Sequence, residues 1–120
     1  MSTAPEAPVD LGPEDRKLLT LARATRTRAG SSEGAALRDL DGRTYAAASI
    51  DLPSLQLSAV AAAVAMAVAS GVRGLEAAVV LGEAAEARPD DLAVLRDVAG
   101  SGVPVLLADA RGALTGSAAT

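Results

Sequence analysis

The chain has 120 residues, enough for one domain, and half of them are apolar, so it can bury a core. Eleven basic side chains against fifteen acidic ones leave a net charge of -4. Phosphate recognition needs a clustered positive field, so this balance argues against nucleic acid as the main partner. With no cysteine and no histidine, disulfides, thiolate nucleophiles, imidazole bases and the usual zinc ligands are excluded.

Residues 1–12 form a polar lead with Pro5 and Pro8 and read as disordered. Their acidic start is the opposite of a secretion signal, and the chain is expected to be cytoplasmic. Pro13-Glu14-Asp15 marks a helix start, with proline in the first turn and acids at the positive end of the dipole. Leu18, Leu21, Ala22 and Thr25 share one face, so this helix is expected to reach Arg28. Two short apolar-rich runs then flank Asp41-Gly42, a hairpin signal. Pro53 and Ser54 are expected to open a second helix that ends at Ser70, with Gly71 in the left-handed capping position. From Ala59 to Ala69 that helix carries no polar side chain. The run is shorter than the ~20 residues a membrane span needs, and a helix apolar all round must be covered all round.

Leu75–Leu81 reads as a buried strand, Pro89-Asp90-Asp91 as the start of a third helix stopped by Gly100, and Val103–Ala108 as another buried strand. Asp109–Gly112 is a turn, and residues 113–120 read as a tail. The expected order is α-β-β-α-β-α-β, with the late strand–helix–strand unit forming a parallel pair. This is a single α/β domain over residues 13–112, a mixed sheet flanked by helices, without an internal repeat.

Gly34-Ala35-Ala36-Leu37, then Asp41-Gly42, a strand, and a small-residue helix ending at Ala67–Gly71 resemble the cytidine deaminases over roughly residues 14–110. That family carries a Gly-Ala-Ala-Leu strand, an Asp-Gly turn and an Asn-Val-Glu-Asn segment that holds the nucleoside ribose. A Cys-Ala-Glu or His-Ala-Glu triplet opens its central helix, and Pro-Cys-x-x-Cys opens the next. The resemblance implies a cytidine deaminase-like mixed sheet, and a zinc site in which a glutamate moves protons while metal-bound water attacks the ring.

The resemblance puts Ser58 at the first ligand and Val60 at the glutamate. It puts Asp90 and Ala93 at the two cysteines, and Ser49, Asp51 and Leu52 in the ribose segment. A deletion of about two residues separates Asp51 from Ser58 in this alignment. Without Cys or His no alignment assembles the zinc site, so the chain reads as a degenerate member with no cofactor.

Each candidate site also has a plain structural reading. Ser58 lacks a base, with no histidine and one lysine, Lys17, and so reads as a helix-opening residue. Asp90 and Asp91, with Glu83 and Glu86, could hold magnesium or calcium or act as an acid–base pair. As helix-start charges they would contribute ~0.3–1 kcal/mol each. Ser49 and Asp51 are either the remnant of a ligand pocket or a solvated turn. Gly100-Ser101-Gly102 precedes a strand and so reads as a loop, not a phosphate cradle. Arg16, Lys17, Arg23, Arg26 and Arg28 spread around the first helix as a solvated surface.

Three functions compete: a catalytically degenerate scaffold or interaction module, a nucleoside- or small-molecule-binding module, and an enzyme using carboxylates. The apolar second helix predicts a homodimer or homotetramer with Ala62 and Met66 at or near the contact, as the resemblance also implies. A further protein partner is not legible in the sequence. The composition, 29 alanines among 120 residues, suggests a GC-rich bacterial genome.

Overall fold

Pro13 opens helix α1 (Pro13–Ala29), Glu14 and Asp15 sit in its first turn, and Gly30 at φ 67° closes it. The computed structural model describes residues 11–120, so the expected lead, apart from Leu11 and Gly12, lies outside the described residues. After α1 come β1 (Glu33–Asp39) and β2 (Thr44–Ala48), an antiparallel hairpin paired from Gly34–Ala48 to Arg38–Thr44. The Asp41-Gly42 turn joins them as expected, with Gly42 at φ 85°, a conformation glycine reaches without a Cβ clash.

The next segment corrects the expected helix start. Pro53 and Ser54 form the turn of a separate hairpin, β3 (Ile50–Leu52) against β4 (Leu55–Leu57), and helix α2 begins only at Ala59 and ends at Ala69. Proline steers its predecessor Leu52 to extended backbone, and Leu55-Gln56-Leu57 alternates with the period of a strand. Ser58 is the true N-cap, its Oγ accepting from the Ala61 amide at 3.0 Å.

Strand β5 (Leu75–Gly82), helix α3 (Pro89–Ala99) and strand β6 (Pro104–Ala108) form the expected crossover, with β5 and β6 parallel. Residues 114–119 are not a tail. They form β7 (Leu114–Ala119), antiparallel to β6. Leu114, Gly116 and Ala118 are half-buried while Thr115, Ser117 and Ala119 are exposed, the alternation of a strand with one face on a core. The main sheet runs β2-β1-β5-β6-β7.

Alternation along the central strands creates two cores. On one face Leu18 and Ala22 of α1 meet Ala36, Val79, Leu81 and Leu106. On the other, Val60, Ala63 and Leu95 of α2 and α3 meet Leu37, Val80 and Val105. The result is three layers, α1 over the sheet over α2 and α3. Two loops share one design: Asp39 Oδ1 accepts from the amides of Asp41 and Arg43, and Asp109 Oδ1 accepts from those of Arg111 and Ala113. In both, a glycine amide closes back on the aspartate carbonyl. The repetition is confined to these loops.

Candidate functional site

The sheet brings the starts of α2, α3 and β1 together at one end. Ser58, capping α2, donates its hydroxyl to Asp91 Oδ1 at 2.6 Å. Asp91 lies in the first turn of α3 and is only 6% exposed. Its other oxygen, Oδ2, lies 3.1 Å from Arg88 Nη2 as an ion contact without hydrogen-bond geometry. Arg88 occupies the N-cap position of α3. Its guanidinium donates both Nη groups to the Glu33 carboxylate, at 2.9 and 2.6 Å. Glu33 opens β1 and is 8% exposed. The hydrogen bonds to Glu33 outweigh the cost of partial burial and raise the Arg88 pKa, so this group stays a cation across the physiological range.

A cavity of about 430 Å³ lies beside this network, lined by Arg26, Ser32, Glu33, Glu83, Glu86 and Arg88 among others. Ser49 stands at the far wall of Glu33: its Oγ is 3.2 Å from the Glu33 amide and 3.2 Å from Ser32 Oγ. Ser31 Oγ donates to the Ser49 carbonyl at 2.8 Å. Asp51 is exposed on β3 and borders a second, polar hollow of about 350 Å³ with Ser31, Ser32 and Ser49.

The residues singled out from sequence therefore divide. Ser58 is at the convergence point, but its partner is Asp91; Asp90 and Ala93 are exposed. One residue along a helix turns a side chain by about 100°, and that rotation separates Asp91 from its neighbour. Val60 is wholly buried in the core under α2. Glu83 and Glu86 are exposed on the loop before α3. Sequence reasoning missed Glu33 and Arg88, which are 55 residues apart. The available signal was a charge at the head of each of two buried or capped elements, Glu33 before Gly34-Ala35-Ala36 and Arg88 before Pro89.

A family model for the cytidine deaminase-like group matches residues 11–112. The chain belongs to the cytidine deaminase-like family. Solved structures agree on the fold. A cytidine deaminase from Burkholderia pseudomallei superposes with a TM-score of 0.73 at 23% identity, covering 87% of this chain and 89% of that one. A Mycobacterium leprae cytidine deaminase gives 0.65 at 20% identity, covering 86% and 90%. A mutant cytidine deaminase from Mycobacterium tuberculosis gives 0.66 at 24%, covering 82% and 85%. Among curated proteins none matches the chain.

The zinc that the family implies does not fit these residues. The chain offers no imidazole or thiolate, and no group of three metal-ligating side chains occurs among the described residues. At the convergence point the donors already hold one another: Ser58 binds Asp91, and Arg88 binds Asp91 and Glu33. Among the described residues no helix is long and apolar enough to cross a membrane.

Proposed function

We propose that the protein is a catalytically degenerate cytidine deaminase-like protein that acts in the cytoplasm as an oligomeric scaffold or interaction module. The observation that carries this reading is that Ser58, at the first ligand position of the resemblance, is engaged with Asp91, which is joined to the Arg88–Glu33 ion pair. In the aligned positions, Val60 has no proton to move and Ala93 has no donor. The carboxylate-enzyme alternative has less support, because Asp90 is exposed and Asp91 is committed to Ser58 and Arg88. The ligand-pocket alternative rests on the hollow beside Asp51. There the Ser49 hydroxyl is already engaged with the Glu33 backbone.

Support for assembly comes from α2, whose outward residues Ala65, Met66 and Val68 are exposed. They adjoin an apolar cleft of about 410 Å³ that passes the β2 edge between α1 and α2. The test is direct. Metal analysis of purified protein should find no stoichiometric zinc, and cytidine and deoxycytidine should not be deaminated above background. Sedimentation at micromolar concentration should give a dimer or tetramer. One tightly bound zinc per chain, or turnover that survives repurification, overturns the degenerate reading; a monomer overturns the scaffold.

A further inference from the structure

The starts of three elements meet in one network, in which Arg88 holds Glu33 and Asp91 and Asp91 accepts from Ser58. Ser58 caps α2, Arg88 stands at the cap of α3, and Glu33 begins β1. Loss of the Ser58–Asp91 bond separates the two helix starts chemically, because no other side-chain hydrogen bond among the described residues joins α2's first turn to α3's. Loss of the Arg88–Glu33 pair removes the ion pair between α3 and β1. The resemblance implies a zinc ion held from these same two helix starts, at the positions of Ser58, Asp90 and Ala93.

Arg88 with the Asp91 and Glu33 carboxylates carries one positive and two negative charges, a net of about -1. Two helix N-termini, each with a partial positive charge, point at this place, and a site with excess negative charge suits them whichever cation lies at its centre.

We propose that Arg88, gripped by Glu33 and Asp91, is a built-in replacement for the metal: an internal cation that ties α3 to β1 directly and, through Asp91 and Ser58, to α2. This rests on the reading that the zinc site is lost. Arginine suits the role because its planar fork meets a carboxylate through two parallel bonds, which a lysine ammonium does not reproduce. Any buried ion pair couples its two members, because removing one leaves the other unpaired. A cross-link predicts in addition that the two helix starts are coupled to each other.

The experiment is a double-mutant cycle in urea on the full chain, with Glu33→Gln, Arg88→Met and the double variant. The expected coupling is about tenfold or more in the folding equilibrium constant, about 1.4 kcal/mol. Effects that multiply within about twofold overturn the cross-link. Should a variant fail to fold, Arg88→Lys serves, read by native-state hydrogen exchange. The Ala61 amide, bonded to Ser58, and the Leu92 amide, bonded to the Arg88 carbonyl, should lose protection together. Loss at Leu92 with Ala61 unaffected overturns the proposal. In a third arm a chelator should leave the melting midpoint of the unaltered protein unchanged. A fall on chelation overturns both this proposal and the lost-zinc reading, whereas additivity without a chelator effect overturns the cross-link alone.

Discussion

Asp39 shows how one carboxylate organises a turn. It is 2% exposed, and burial pushes its pKa up, but hydrogen bonds from Tyr45 and from the Arg43 and Asp41 amides prevail and hold it below the usual carboxylate value. A depressed folded value means that the stabilisation is present above the unfolded pKa of ~3.9 and is lost as pH falls through the folded one. Melting temperature should therefore drop on acidification below about pH 4, and Asp39→Asn should flatten that acid limb. An identical limb in the variant would show that Asp39 is not involved. The same hydrogen bond, 2.9 Å from Tyr45 Oη to Asp39 Oδ2, together with burial, raises the phenol pKa. Tyr45 is the only aromatic residue in the chain, so its ultraviolet titration reads that group alone. The midpoint should lie above the ordinary ~10 and return toward it in Asp39→Asn.

At the scale of elements, α1 lies so close to β1 that Gly34 has no room for a side chain. An added Cβ would collide with the Ala22 carbonyl oxygen and stand 2.9 Å from Arg26 Cβ. The backbone there needs no positive φ, so the cost of Gly34→Ala is overpacking, which forces helix and sheet apart. We expect a loss of about 1–3 kcal/mol in urea unfolding; a neutral result would mean that α1 shifts freely on the sheet. Most elements were legible because their stop signals are chemical: Pro13, Gly30, Pro89 and Gly100 bound two helices where proline and glycine rules place them. The β3–β4 hairpin was not, since Pro-Ser also opens helices and the choice depended on Ser58 finding the Ala61 amide. Strand β7 was missed because Thr115, Gly116 and Ser117 have no apolar signal; pairing with β6 makes them a strand.

For the whole molecule, the outer side of α2 is the apolar helix face left exposed. Ala62 is 7% exposed and packs within its own chain, which moves the expected contact outward to Met66 at 46% and Val68 at 54%. An arginine at Ala62 would therefore report on the core of the monomer. Met66→Arg is the cleaner probe. A charge in a desolvated contact should weaken self-association at least tenfold in sedimentation, while an exposed site in the monomer should change folding stability by no more than ~0.5 kcal/mol. An unchanged sedimentation profile would exclude this side of α2 from the assembly.

What the sequence determined by itself was inventory and order. A chain without Cys or His cannot build a thiolate–imidazole metal site, and that holds for every fold it could adopt. Periodicity and capping residues likewise set the presence of three helices and the Asp41-Gly42 turn, because these depend on neighbours within a few residues, and the strand–helix–strand order implied the parallel β5–β6 pair. The three layers and the Ser58–Asp91–Arg88–Glu33 network were decided only by tertiary structure. Glu33 and Arg88 meet because β1 and β5 pair and α3 follows β5. Likewise Asp91, not Asp90, faces Ser58 because packing of Leu95 against the sheet sets the rotation of α3. Local sequence encodes which faces a helix has, and only the packed sheet chooses what each face meets.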